Sequence, residues 1–573
     1  MQQSDEMRRA AGYNQTLARN PNDFAALYSL GVMRAQQGQA TEARALLERA
    51  LAQLPNEPDA LVAYGNLLGQ AGDSEGALQF YNRALLADPG HIDASINMGV
   101  CLHGRRQYEE ALAAYDGALL ADPGNIVGLV NRALALHALG RFIEAIATLD
   151  YALMVALDGI DILIARGDAL LAAGRLDDAR RDYQRVLELG VPDPQAQVGL
   201  ANVAAAQGDL EGGLKALTTV LQAHPGHVEA HFYRGNILRD LKRLPEAVAA
   251  YDAALRHAPD FVRAQRNKGL CLLLAGNFVE GLPLYEWRKQ LPVPVEARHY
   301  PAPVWTGEQD ISGKTLFVYI EQGLGDTIQF ARFLPVLEKQ GARVILSCQD
   351  QLSQLLASAD GGAQIIGSGE VPSHFDFHCP LPSVPLTLNM CESTIPAAAP
   401  YLRADPDLAR RWLERIGPSG FKIGIAWQGA VGIDDARSFA PELFQPIGAL
   451  PGVRLISLQK GEAVSQRITP GMTVEDLEPF DNGPQAFLDA AAIMASLDLV
   501  ACCDTSIAHL AGALGRPTCV MLKQVPDWRW MLDRPDTPWY PTLRLFRQPA
   551  FADWHGAFAI LKDHVMKMAK KAS

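Results

Sequence analysis

Apolar positions recur along the first half of the chain with a period of 34 residues. Small residues stand at Gly31, Gly65, Gly99, Ala133, Gly167, Ala201, Gly235 and Gly269, and the spacing never slips. Twelve residues after each comes another small residue (Ala43, Ala77, Ala111, Ala145, Ala179, Gly213, Ala247, Gly281), and four further on a large one (Leu47, Tyr81, Tyr115, Leu149, Tyr183, Leu217, Tyr251, Tyr285). Prolines close most units, at Pro55, Pro89, Pro123, Pro225 and Pro259. Small residues let two helix backbones approach, the large one fills the gap toward the next unit, and proline ends the second helix. The pattern predicts eight antiparallel helix pairs over 24–295. Tyr13 and Pro21 keep the same register, so residues 1–23 supply one earlier helix as a cap. The last unit has Arg288 where earlier units have alanine, as expected where an array hands over to another domain.

Beyond the array the periodicity changes. Pro292, Pro294, Pro301 and Pro303 mark a linker that leads to Trp305. An apolar run beginning at Phe317, short enough for a buried strand, then stops at Gly323 and Gly325, and Asp326 opens a helix carrying Phe330, Phe333, Leu334 and Leu337. Strands are predicted over 343–347 and 364–367, and a helix over 407–416 that ends at Gly417 and Pro418. Residues 379–388 carry Pro380, Pro382 and Pro385 and read as loop. The pattern restarts at Lys422, with strands over 454–458, 497–502 and 518–522, a helix over 506–514 and a final helix over 554–568 that packs back across the pair. Strands alternating with helices predict a doubly wound parallel sheet, formed twice, with a cleft between the two. The expected domains are therefore 1–23, 24–295, 296–420 and 421–573.

Composition narrows the function classes. A formal net charge of -13 with 20% charged residues makes a poor general binder of nucleic acid or anionic membrane. The eight cysteines show no C-x-x-C spacing and read as reduced core thiols. Residues 1–20 lack the apolar core of a secretory signal, and no run approaches a membrane-spanning length. The expectation is a cytoplasmic protein.

The repeat pattern resembles the tetratricopeptide repeat. That resemblance implies a solenoid whose concave groove, lined by the first helix of each pair, binds segments of another protein. Asn97, Asn131 and Asn267 occupy one equivalent position two before the small residue, interrupted by Ser29, Ala63, Ala165, Gly199 and Tyr233.

Two strand ends carry candidate chemistry. In open parallel sheets ligands bind beyond the carboxyl ends of the strands, where helix N-termini offer free N–H groups to anions. Asp326, at the first such end, is either a helix cap or a carboxylate that takes a proton from an acceptor hydroxyl. Asp504 and Thr505 end a second strand before Ser506, where they either cap the following helix or leave an anion site, with His509 on its first turns as ligand or as core. Asp434 and Asp435 lack further ligand spacing and read as solvated turn residues, so no metal is expected. Trp528, Trp530, Trp539 and Tyr540, with Arg529, Arg534 and Arg544, either stack on a base or sugar or pack the core.

The segments EQGLGDTIQFARFLP, IGIAWQG, LISLQKG, DLVACCDTSIAHLAGALGRP and DWRWMLDRPDTPWYPTLRLFRQ resemble, in order, the catalytic half of bacterial tetratricopeptide-repeat glycosyltransferases related to the heptosyltransferases. The resemblance covers about residues 300–550 and implies a GT-B fold of two Rossmann-like domains. It also implies an inverting, metal-independent transferase with Asp326, in the Gly323 to Gly325 turn, as catalytic base. Gly323, Gly325, Trp427, Gln428, Lys460, Asp504, Thr505, Ser506 and His509 would bind the donor, with Lys460 supplying the cation a departing nucleotide needs. The donor would be a nucleoside-diphosphate sugar or a cytidine-monophosphate nonulosonic acid, and no other cofactor is implied. The acceptor would be serine or threonine of a protein, flagellin among the candidates. A repeat scaffold with an inactive GT-B half, and a glycosyltransferase of cell-envelope glycans, stand as alternatives.

Overall fold

The structure is a computed structural model that describes residues 2–190, 192–291, 298–430, 434–461 and 472–572. Pro292, Pro294 and the expected domain boundaries at Val295 and Glu296 lie outside the described residues. The chain forms two compact units, 1–225 and 226–573, which divide inside the repeat array.

In the first unit a helix Gln2–Arg19 precedes six described helix pairs, from Phe24–Gln36 with Ala40–Gln53 to Pro194–Ala206 with Leu210–Ala223. The 34-residue pattern is a packing pattern. A Cβ on Gly99 would lie 2.4 Å from the Tyr115 ring and one on Gly65 2.7 Å from Tyr81, so the large residue of each second helix fills the space a side chain would need. Ala43, Ala77, Ala111 and Ala145 are fully buried. Ion pairs stitch successive helices at part-buried positions: Arg132 to Asp116 at 2.7 Å, and Arg166 to Asp150 and Asp182 at 2.6 and 2.7 Å.

The second unit opens with two further pairs, Val228–Asp240 with Leu244–His257 and Val262–Leu274 with Phe278–Tyr285. Two parallel sheets follow. The first holds β1 (Thr315–Tyr319), β2 (Arg343–Ser347), β3 (Gln364–Ile366) and β4 (Phe377–Pro380) in the order β3-β2-β1-β4. The second holds β5 (Phe421–Ala426), β6 (Val453–Ser457), β7 (Leu499–Cys503), β8 (Thr518–Leu522) and β9 (Leu543–Arg547) in the order β6-β5-β7-β8-β9. An α/β region with parallel strands thus follows the helical repeats.

Three expectations need correction. The stretch read as loop over 379–388 includes the end of β4, which pairs with β1 from Leu316–Phe377 to Tyr319–Pro380. Pro380 is tolerated because β4 is an edge strand and the proline is its last residue. The single helix expected after Gly325 is three pieces, Leu324–Phe330, a 3-10 turn Ala331–Phe333 and Leu334–Lys339, because Pro335 cannot continue the ladder. Its apolar residues Phe330, Phe333, Leu334 and Leu337 are nonetheless fully buried. The last helix, Trp554–Ala572, packs Phe558, Leu561 and Val565 into the core of the second sheet with Phe421, Ile423 and Ile425, rather than across both sheets.

Arg288 explains how the last repeat joins the first sheet. It stands at the register position of Ala84, Ala118, Ala152 and Ala254, and is only 2% exposed. Its Nη2 donates to Glu321 at 2.7 Å and to Ser383 Oγ at 2.7 Å, and its Nη1 to Glu286 at 2.5 Å. Gln322 donates to the Tyr285 hydroxyl at 2.8 Å. The loop that leaves β1 is therefore held from the repeat side before it reaches Gly323.

Candidate active site

The site is assembled where two helices follow two strand ends. The Leu324 helix, after β1, packs directly on the Ser506 helix (Ser506–Ala513), after β7. Gly325 makes this approach possible: a Cβ there would lie 3.0 Å from His509 Cδ2 and 3.3 Å from Ser506 Cα. Gly323 plays a different part, as the exposed N-cap of its helix. Asp326 is neither cap nor first residue but the third of the helix, and its Oδ2 accepts from the Gly323 N–H at 3.1 Å. The helix starts earlier than the acid suggested because a glycine can cap it.

The other oxygen of Asp326 is taken by Arg529, whose Nη2 donates to Oδ1 at 2.5 Å. Arg529 is almost fully buried and fully engaged, with Nη1 on Asp527 at 2.9 Å and Nε on Gln329 Oε1 at 2.7 Å. It also lies over the Trp528 ring at 4.7 Å. Sequence reasoning placed Arg529 only in an aromatic cluster. Of that cluster, Trp528, Trp530, Trp539 and Tyr540 are core residues, Arg534 pairs with Glu392 and Asp536, and Arg544 is exposed over Phe546.

Beyond the carboxyl ends of β5, β6 and β7 lies a cavity of about 590 Å³, lined in part by Gln428, Gly429, Gln459, Lys460, Phe480, Asp481, Phe487, Thr505 and Ser506. Thr505 is the N-cap of the Ser506 helix by position but makes no side-chain capping bond. The positive end of that helix therefore meets the cavity without a side-chain acceptor. Gln459 brackets the mouth: its Oε1 accepts from the N–H groups of Trp427 and Gln428, each at 3.0 Å, and its Nε2 donates to the carbonyls of Gln428 and Lys460 at 3.1 Å. Lys460 lies on the wall with its ammonium engaged by the Phe480 carbonyl and by Asn482 at 2.8 Å.

A second cation, which the sequence did not single out, is Arg437. A Cβ on Gly429 would meet its guanidinium at 2.9 Å, so the group lies against the cavity wall. Its Nε is buried and has no partner among the described residues. Gln329 Nε2 and the indole N–H groups of Trp528 and Trp539 are likewise buried without partners among the described residues.

Burial pushes the Asp326 carboxyl up from its ordinary value, with Arg529 opposing and Asp527 reinforcing the shift. Asp504, between β7 and the Ser506 helix, is pushed up to about 6 by burial and then by Asp527. His509 is held well below its ordinary value by burial. Its ring stacks on Trp530 at 5.3 Å, its Nδ1 lies 3.0 Å from the Tyr540 hydroxyl, and it does not line the cavity. Trp427 is 1% exposed and packs in the core of the second sheet; only its backbone reaches the mouth.

Asp434 pairs with Lys523 at 2.6 Å. Among the described residues no group of three or more His, Cys, Asp or Glu is placed to hold a metal ion. The three asparagines are not equivalent in use. Asn97 donates to Asn66 at 3.0 Å and Asn267 to Asn236 at 2.9 Å, each acceptor also receiving a repeat tyrosine, Tyr81 or Tyr251, at 2.8 Å. Asn131 instead bonds the Val127 carbonyl of its own helix at 3.0 Å.

Family profiles described as tetratricopeptide repeat match residues 8–58, 164–217, 202–260 and 243–286, others match 34–94 and 68–135, and another 126–150. The N-terminal part of the chain is thus built of tetratricopeptide repeats throughout. Protein FlbA of Caulobacter vibrioides is 28% identical over 396 residues, covering 63% of this chain and 66% of FlbA. The chain therefore spans about two thirds of the length of that relative, 66%. Among solved structures, a tetratricopeptide repeat protein from Parabacteroides merdae is 17% identical and matches 44% of this chain and 98% of its own, with a TM-score of 0.40. Pseudomonas aeruginosa PilF is 20% identical over 37% of this chain and 97% of its own, with a TM-score of 0.33. Among the described residues no helix is long and apolar enough to cross a membrane.

Proposed function

We propose that the chain is a GT-B glycosyltransferase that holds a protein acceptor with its repeats and transfers a sugar from a nucleotide donor to serine or threonine. The observation that carries this reading is the packing of the Leu324 helix on the Ser506 helix, which sets Gly325, the residue before Asp326, against Ser506, a residue that lines the cavity. In the proposed reaction the acceptor hydroxyl oxygen attacks the anomeric carbon and the bond from that carbon to the phosphate oxygen breaks. The hydroxyl proton passes to Asp326. The departing phosphate takes the electron pair and is stabilised by the N-terminus of the Ser506 helix and by Arg437, while Lys460 supports the opposite wall.

This reading revises the weight of the donor groups. Arg437 has a free buried donor, whereas Lys460 already serves Phe480 and Asn482. Both a nucleoside-diphosphate sugar and a cytidine-monophosphate nonulosonic acid fit a site with one helix N-terminus and these two cations. Flagellin is a candidate acceptor by the resemblance, and an envelope glycan is the rival acceptor. One observation favours a second reading, a repeat scaffold without catalysis: Asp326 is engaged on both oxygens, by Arg529 and Gly323.

Intact-mass spectrometry of flagellin and other cell proteins, with and without this chain, tests the proposal. A discrete sugar-sized loss on one protein is the expected result, and its mass separates hexosamine from nonulosonic acid. No loss on any protein, together with no donor hydrolysis by the purified chain, would leave the scaffold reading.

A further inference from the structure

The last repeat breaks the 34-residue register twice, and both times with arginine. Arg288 replaces a buried alanine and is matched by Glu286, Glu321 and Ser383. Arg266 replaces the apolar residue that is Val62, Ile96, Val198 and Phe232 in other repeats, all of them buried. It is part-buried on the Val262 helix, which packs against the turn Trp528–Trp530 that carries Arg529. Yet its one hydrogen bond is a long one of 3.4 Å to Asn267 Oδ1, and it makes no ion pair among the described residues. Burial disfavours its charge, Tyr285 and Asp527 favour it, and Arg239 opposes it. Asp527 Oδ1 already accepts from Arg529 at 2.9 Å, and Arg239 pairs with Asp240 at 2.8 Å.

A part-buried guanidinium without a hydrogen-bonded carboxylate is costly, and the neighbouring Arg288 shows how this same interface satisfies an arginine that serves only to join the repeats to the first sheet. The position of Arg266 is informative as well. It lies on a repeat helix packed against the turn that follows Asp527, and Asp527 shares Arg529 with Asp326. It does not line the donor cavity. A substrate group that met Arg266 would therefore come from the repeat side rather than through that cavity.

We infer that Arg266 binds a carboxylate of the acceptor, an aspartate or glutamate side chain within a few residues of the hydroxyl that approaches Asp326. The inference rests on the transferase reading for the identity of that hydroxyl. An acceptor carboxylate would give Arg266 the bidentate partner it lacks, and Asp527 would repel an acceptor that brought its acid one step too far toward Arg529. Specificity for acidic flanks would then come from one favourable and one unfavourable contact.

The test uses the full chain on an array of short peptides, each centred on one serine and carrying Asp, Ala or Lys at each flanking position in turn. The wild-type chain is expected to favour Asp over Ala on one side of the serine by about tenfold. Arg266→Met, which restores an apolar residue to the register, should erase that preference, and Arg266→Glu should transfer it to Lys. Calorimetric titration of the same three proteins with UDP, GDP, ADP and CMP keeps the donor site in view. An unchanged flank preference in Arg266→Glu, no acidic preference in the wild type, or a lost nucleotide affinity confined to the Arg266 variants would each overturn the inference. A charge swap on peptides with no nucleotide bound by any of the three would instead overturn the transferase reading and keep Arg266 as a carboxylate-binding group.

Discussion

Arg529 Nη2 lies 2.5 Å from Asp326 Oδ1, joining residues 203 positions apart in sequence. This ion pair sets the chemistry of the candidate base. Burial favours the protonated carboxyl, Arg529 and the Gly323 N–H favour the carboxylate, and Asp527 competes for the same guanidinium. A base in this setting must loosen from Arg529 to take a proton.

Replacing Asp326 by Ala should abolish sugar transfer while leaving nucleotide binding within about twofold. Arg529→Lys should keep a charge but lose the fork that spans Asp326, Asp527 and Gln329. We expect it to lower kcat about a hundredfold with little change in donor KM, and to shift the acidic limb of the pH–rate profile upward, since the carboxylate loses its strongest stabilising partner. Arg529→Lys with an unshifted profile would mean that Arg529 only packs.

The two glycines of the turn should respond differently to the same change. At Gly325 a methyl group would meet His509 at 3.0 Å and the Ser506 backbone at 3.3 Å, so the two helices must separate. Gly325→Ala is expected to cost about 1–3 kcal/mol and to impair transfer strongly. At Gly323 the nearest atom is Asp326 Oδ2 at 3.5 Å, an ordinary contact, and Gly323→Ala should stay within about 0.5 kcal/mol of wild type. Thermal unfolding and turnover of the two variants side by side check this ordering.

These glycines also show what a sequence reveals and what it hides. The 34-residue register was legible because Gly99 against Tyr115 and its equivalents repeat one packing contact at a fixed spacing. The strand, turn and helix at Gly323 were legible because an apolar run, glycines and an apolar-periodic helix are each local signals. Arg529 and Gln459 were not, since each acts on residues far away in sequence and brought near only by the fold, and no spacing announces such a meeting. His509 looked like a ligand from its place on the helix, but the face it shares with Trp530 and Tyr540 depends on a loop some 20 to 30 residues away. β4 was hidden by the prolines that follow it, and β9 by the short arginine-interrupted run Leu543–Arg547.

Asp504 should make the fold pH-sensitive. Its folded value of about 6 lies above its ordinary 3.8, so the folded state holds a proton that the unfolded chain has already released. The contribution is fully present below about pH 4 and is lost as pH rises through about 6. Asp504→Asn cannot ionise, and near pH 7.5 it should be more stable than wild type by about 1–3 kcal/mol, with no difference near pH 4. Thermal melts of both proteins from pH 4 to 8 decide the matter; parallel curves would mean that Asp504 is solvated in the folded state.

Arg288 provides the last prediction, because it distinguishes a structural arginine from the one proposed to bind substrate. Removing it strands Glu321, whose side chain is 4% exposed, together with the part-buried Glu286. Arg288→Ala should therefore destabilise the second unit by about 3–5 kcal/mol. Adding Glu321→Gln to Arg288→Met should recover part of that loss, since the remaining buried group is then uncharged. Arg266→Met, at the neighbouring break in register, should leave the melting temperature unchanged or raise it, because it removes a part-buried charge and restores the apolar residue found in other repeats. If both single variants at 266 and 288 melted equally low, the two arginines would share one structural role, and the contrast between a matched and an unmatched guanidinium would carry no functional meaning.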